Sequence, residues 1–177
     1  MVNLEDTVEK SNGGEDHVVR KATIDDTWKI HDITKGYGFR DVEGKIEGRL
    51  IPLNLRGIAN VIREEGVFYV AELPIWPGIV AVASRQEYNG IAELRSVATH
   101  RKFSSNGYGQ DVVMAVLNDT KEKGIDRIYT LSHPDSIPFF KKLGFESSDR
   151  PLEKESKDCA VCPIYDHCNE IALVKYL

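Results

Sequence analysis

The sequence predicts an α/β fold, a mixed, mostly antiparallel sheet flanked by helices on both sides. Three observations carry this expectation. Residues 67–73, 79–84 and 92–99 are apolar or alternating runs joined by short turns, the pattern of an antiparallel meander. Residues 107–123 then place Val112, Val113, Val116 and Leu117 at helical spacing. Residues 126–131 follow as a further strand, and strand, helix, strand implies a parallel crossover. A chain of 177 residues is long enough to bury one domain core.

Residues 1–16 are acidic and polar, with Glu5, Asp6, Glu9 and Glu15 among Ser11, Asn12, Gly13 and Gly14. They read as a disordered acidic tail and lack the apolar stretch of a secretory signal. The folded domain is expected over 17–177, with a cysteine-containing C-terminal segment at 151–177. Val18 to Arg20 begin a strand. Thr23, with Asp26 three residues on, is a capping-box variant that opens a helix through Trp28, Ile30 and Ile33. Gly36 and Gly38 break it, and 41–49 reads as a charged, glycine-bearing loop. Pro52 opens a second helix through Leu53, Leu55, Ile58 and Ile62, which Gly66 ends. Pro74 to Gly78 is a turn, and Tyr88-Asn89-Gly90 is a hairpin signal. Gly124 stops the third helix, 135–143 is a fourth closed by Gly144, and 172–176 is a closing strand.

The composition is 41% hydrophobic and 29% charged, with a net charge of −5. There is no basic excess to mark a nucleic-acid partner. No apolar run approaches the roughly 20 residues that span a membrane. The three cysteines lie between Cys159 and Cys168, an odd number that makes no disulfide framework. Reduced thiols in a cytoplasmic protein are the simplest reading, and a homodimer is the base-rate assembly.

The segment from Glu93 to Gln110 carries chemistry. A strand ends at Val97 and Ala98, then a polar loop of Ser104, Ser105 and Asn106 turns into Gly107, Tyr108, Gly109 and Gln110 at a helix start. Glycines there let backbone N–H groups face a ligand, and the helix start adds unpaired donors and a positive dipole end. Such a site suits a pyrophosphate, although a lone Gly-x-Gly serves a tight loop equally well.

The wider pattern is more specific. Ala92-Glu-Leu-Arg-Ser-Val-Ala98, then Gly107-Tyr-Gly109 before a helix and strand, then Phe139-Phe140-Lys-Lys-Leu-Gly144-Phe145, resembles the GNAT superfamily of N-acetyltransferases over about residues 17–146. The resemblance implies acetyl-CoA as co-substrate. Its pyrophosphate would lie on residues 104–110 and its pantetheine arm along Val97 and Ala98. Ser104 stands where that family carries Gln or Arg, which removes one side-chain contact and keeps the backbone cradle.

A narrower resemblance is to the N-acetylglutamate synthases. It rests on Ala92 to Ala98 and on Asp158-Cys-x-x-Cys162-Pro-x4-Cys168-x-Glu170-Ile-Ala-Leu173. It implies transfer to the α-amino group of a small amino acid, L-glutamate first, in arginine biosynthesis. Leu53 stands where those enzymes carry an arginine, and Arg56, Arg95 or Arg20 is the candidate replacement for binding carboxylates. Glu93 is the candidate base, since an amine must lose a proton before it attacks. Ser132 is the candidate proton donor to the leaving thiolate, because Phe139 and Phe140 occupy the positions where relatives carry tyrosine. Two other functions stay open: acetylation of another amine, and a non-catalytic CoA-binding sensor. Cys159, Cys162 and Cys168 are candidate metal ligands, the first pair at zinc spacing, with packing or a reduced-thiol cluster as the other reading.

Overall fold

The computed structural model describes residues 8–10, 16–43, 45–48, 50–88, 90–151, 159–162 and 165–177. In chain order its elements are β1 (Val8–Lys10), β2 (His17–Lys21), α1 (Thr27–Lys35), β3 (Arg40–Val42), β4 (Lys45–Glu47) and α2 (Leu55–Asn60). There follow β5 (Gly66–Glu72), β6 (Ile79–Tyr88), β7 (Ile91–Thr99), α3 (Tyr108–Glu122), β8 (Arg127–Ser132), α4 (Ile137–Lys142), β9 (Glu146–Ser147) and β10 (Ile171–Tyr176). The main sheet has the order β1-β2-β5-β6-β7-β8-β10-β9. Its pairings are antiparallel except β7 with β8, which is parallel.

The meander and the crossover stand where the sequence puts them. Three expectations are corrected. Val8–Lys10, inside the expected tail, pairs antiparallel with β2, Val8 opposite Val19; residues 1–7 and 11–15 lie outside the described residues. The expected loop at 41–49 contains a two-stranded hairpin, β3 with β4. The second helix also begins later than Pro52. Asn54 caps it by accepting a hydrogen bond from the Gly57 N–H at 2.8 Å.

The sheet is covered on both faces. Val112, Val113, Val116 and Leu117 of α3 pack with Leu94, Val80 and Ile128 on one face. Ile30 and Ile33 of α1 and Ile58 of α2 pack with Phe68, Val70 and Val82 on the other. Burying each such side chain contributes roughly 1.5–3 kcal/mol relative to leaving it exposed.

Helix α3 is also fastened by charge. Arg85 of β6 is fully buried at 0% exposure, and it donates to the Asp119 carboxylate and, at 3.2 Å, to the Thr120 hydroxyl. Near the other end of the helix, His17 of β2 meets Asp111 at 3.1 Å. Burial pushes the Asp119 carboxyl up, but the hydrogen bond and charge of Arg85, with Lys21 adding to them, hold it below its ordinary value. A depressed carboxylate stabilises the fold above the unfolded pKa, about 3.9, and that stability is lost as pH falls through the folded value. Asp119→Asn is therefore expected to cost about 1–3 kcal/mol at pH 7, because it removes one of the two carboxylates, Asp119 and Glu87, that hold a buried guanidinium. It should also flatten the loss of stability between pH 5 and pH 2. Urea midpoints across that range check both effects.

Candidate active site

The site begins where β7 and β8 part. They are registered at one position, Glu93 opposite Tyr129, although β7 runs on to Thr99 and β8 to Ser132. A bulge in β7 works with this divergence. Val82 pairs with Ala98 and Ser84 with Arg95, so Ala83 alone faces Ser96 and Val97. Ser96 takes the left-handed conformation, φ 53°, that such an extra residue requires. Backbone groups of β7 that would have bonded to β8 face open space instead. A cleft of about 710 Å³ fills the gap, lined by residues 93–99 of β7, the turn into α3 and 130–132 of β8.

The turn into α3 is built as a backbone cradle. Ser105 and Gly107 both have positive φ, 70° and 88°. Gly109 sits so close to the end of β7 that a Cβ there would lie 2.8 Å from Thr99 Oγ1. The Thr99 carbonyl is itself held by the Tyr37 hydroxyl. Ser104, Ser105, Gly107, Tyr108, Gly109 and Gln110 line the cleft, as do Val97 and Ala98. Asn106 does not, although it belongs to the same turn. The Tyr108 ring is buried and packs edge-on against His17, 4.8 Å between centroids. The turn thus places main-chain donors at the start of a fifteen-residue helix, a geometry that suits an anion.

Glu93 and Arg95 line the other end of the cleft. They lie two residues apart on β7 and so share a face. Glu93 is only 4% exposed. Its Oε2 accepts from the Tyr88 hydroxyl at 3.3 Å and lies 3.8 Å from Arg95 Nη1. Arg95 also donates to Gln86 Oε1 at 3.1 Å. Ser132 is buried on the cleft wall, and its hydroxyl donates to the His133 carbonyl at 3.1 Å. His100 and His133 have local duties: the Nδ1 of each accepts a backbone N–H two residues on, at Lys102 and Asp135.

Of the sequence candidates, Arg56 falls outside the cleft, and the cysteines take a different role from the one expected. Arg56 is exposed on α2 and is not part of the cleft lining, because the helical phase that buries Ile58 turns it outward. Among the described residues no three His, Cys, Asp or Glu side chains gather to hold an ion. Instead Arg150 donates to Cys159 Sγ at 3.4 Å, to Cys168 Sγ at 3.7 Å and to the Glu170 carbonyl at 3.0 Å. Arg150, Cys159, Cys162 and Cys168 all line the cleft. Sequence reasoning missed Arg150 and Tyr37, since neither stands in a motif.

Comparison with known proteins agrees with this geometry. Residues 41–145, more than half of the chain, match the model of the acetyltransferase (GNAT) family. The chain belongs to that family. It is an N-acetyltransferase. An uncharacterized N-acetyltransferase of Chlorobaculum tepidum is 28% identical over 166 residues, covering 92% of this chain and 97% of that one. Among solved structures, Rv2747 from Mycobacterium tuberculosis, in complex with CoA, superposes with a TM-score of 0.70 at 21% identity, covering 90% of this chain and 99% of its own. The N-acetylglutamate synthase of Neisseria gonorrhoeae, complexed with coenzyme A and N-acetyl-glutamate, has a TM-score of 0.73 at 17% identity. This GNAT chain matches 96% of itself to 36% of that enzyme.

Gly109→Ala tests the cradle. The added methyl meets Thr99 Oγ1, and overpacking of this kind costs about 1–3 kcal/mol. CoA affinity measured by calorimetry should fall, and Thr99→Ala in the same chain should restore most of it.

Proposed function

We propose that this acetyltransferase acts on the α-amino group of a small amino acid, with L-glutamate the leading acceptor, in a cytoplasmic step of arginine biosynthesis. The observation that carries the reading is Glu93, a carboxylate almost fully buried on the cleft wall, two residues from the cation Arg95. A likeness in fold to a synthase complexed with N-acetyl-glutamate supports it.

Acetyl-CoA supplies an activated acetyl thioester. The residues of the chain do the rest. The backbone at 104–110 takes the pyrophosphate, while Val97 and Ala98 offer main-chain groups to the pantetheine arm. An α-amino group has a pKa near 8 and is mostly protonated at neutral pH. Glu93 takes its proton, directly or through water, and frees the lone pair for attack. The Val97 N–H faces the oxygen that gains charge. As the C–N bond forms and the C–S bond breaks, Ser132, with its hydroxyl turned away from the His133 carbonyl, gives a proton to sulfur and is reprotonated, through water, by the proton that the new amide nitrogen loses. Arg95 binds a carboxylate of the acceptor.

A second reading, another amine as acceptor, is favoured by Leu53 in place of the expected arginine and by apolar Leu50 and Ile51 on the lining. Thiol release from acetyl-CoA across a panel of amino acids and simple amines separates the two. Glutamate is expected to give the highest kcat/KM, and Glu93→Gln to lower kcat about 10²–10⁴-fold with CoA binding intact. Turnover confined to non-amino-acid amines would sink the acceptor assignment. Unchanged turnover in the variant would remove Glu93 as the base.

A further inference from the structure

The cysteine segment and Arg150 have no part in acetyl-CoA binding as described above, yet they form one wall of the same cleft. The wall lies at a defined place. Ile171 of β10 pairs with Ser132 of β8, so Glu170, one residue earlier, stands just past the open end of β8. The Glu170 carbonyl and the sulfurs of Cys159 and Cys168 hold the Arg150 guanidinium at that point. Arg95 stands across the gap on β7, so a basic group borders the cleft on each side.

The partners of Arg150 are unusual for a half-buried guanidinium. Sulfur is a weak acceptor, and a carbonyl brings no full charge. Among the described residues no carboxylate lies within ion-pair distance of Arg150, whereas Arg20 and Arg85 each have one close by. Three of the five guanidinium N–H groups are used by the wall, and the others have no protein acceptor among the described residues. These contacts fix where the fork sits and, among the described residues, bring no carboxylate to it. A fixed guanidinium in a cleft, with no carboxylate beside it among the described residues, is matched by a carboxylate, the group its geometry suits best.

We infer that Arg150, presented by Cys159, Cys168 and the Glu170 carbonyl, binds the side-chain carboxylate of the acceptor amino acid. Arg150 is then a binding residue, and the two cysteines are positioning residues rather than metal ligands. This rests on the proposed amino-acid acceptor and adds how a dicarboxylic amino acid is told from its amide. Arg95 on β7 takes the α-carboxylate, and Arg150, across the gap, takes the distal one.

Steady-state kinetics of the full chain with L-glutamate and L-glutamine test this. Loss of a charged hydrogen bond is worth roughly a ten- to hundredfold change in binding. Arg150→Gln should therefore raise the KM for glutamate about ten- to hundredfold and leave the KM values for glutamine and acetyl-CoA nearly unchanged. Arg150→Lys, which keeps charge and most of the packing, should fall in between. The Cys159→Ser and Cys168→Ser variants should raise the glutamate KM severalfold at constant kcat, a split that a general loss of folding would not give.

An unchanged glutamate KM in both Arg150 variants would overturn the inference alone, provided the wild-type protein acetylates glutamate. A rise in the acetyl-CoA KM instead would overturn it by assigning Arg150 to the co-substrate. Failure of the wild type to acetylate any amino acid would overturn this inference together with the acceptor reading it rests on.

Discussion

Two neighbouring parallel strands that pair at one residue and then separate are the constraint on which the site depends. β7 and β8 meet at Glu93 and Tyr129, and beyond that point each keeps its outer partner but loses the other. In a regular sheet the freed N–H and C=O groups of β7 would be an expensive interruption. Here they line a cleft that a ligand with many acceptors and donors can satisfy. The bulge at Ser96 and Val97 makes the separation a property of the backbone rather than of a side chain. The meander supplies the rigid half, because β7 is still held along β6 on either side of the bulge.

That rigidity extends to the helix that follows. The N-terminus of α3 aims its donors usefully only if the helix cannot roll on the sheet. Two polar contacts prevent that, Asp111 with His17 near the start and the ion pair of Asp119 with Arg85 and Lys21 near the end. Apolar packing of Val112, Val113 and Val116 supplies most of the stability, and these polar contacts fix the rotation. At the other side of the cleft, Tyr37 ties the chain leaving α1 to the end of β7, and Arg101 reaches the Gly36 carbonyl at 2.9 Å. The cradle is thus bound to both layers of helices.

Much of this was legible in the sequence because it is local. The alternation of the meander, the helical spacing of α3 and the glycines at 107 and 109 each follow from a few adjacent residues. What was not legible depends on distant partners. Val8–Lys10 lies in an acidic run whose composition argues against order, yet a free edge on β2 recruits its backbone. The charged run at 41–49 lacks apolar alternation, but β3 and β4 pair with each other and need no core. The cysteine spacing looked like half of a metal site. Its meaning changed once the fold brought Arg150 between Cys159 and Cys168. Arg56 lies off the cleft lining for a related reason: nearness in sequence to the expected arginine position said nothing about which side of α2 it takes.

The central claim is that the parted strands and the turn into α3 together hold acetyl-CoA through main-chain groups. Backbone amide hydrogen exchange with and without CoA tests it most directly. The account predicts added protection at Val97 and Ala98 and across Ser104 to Gln110, with the amides of β5 unaffected. Protection confined to another surface, or none in the 104–110 turn at saturating CoA, would contradict it.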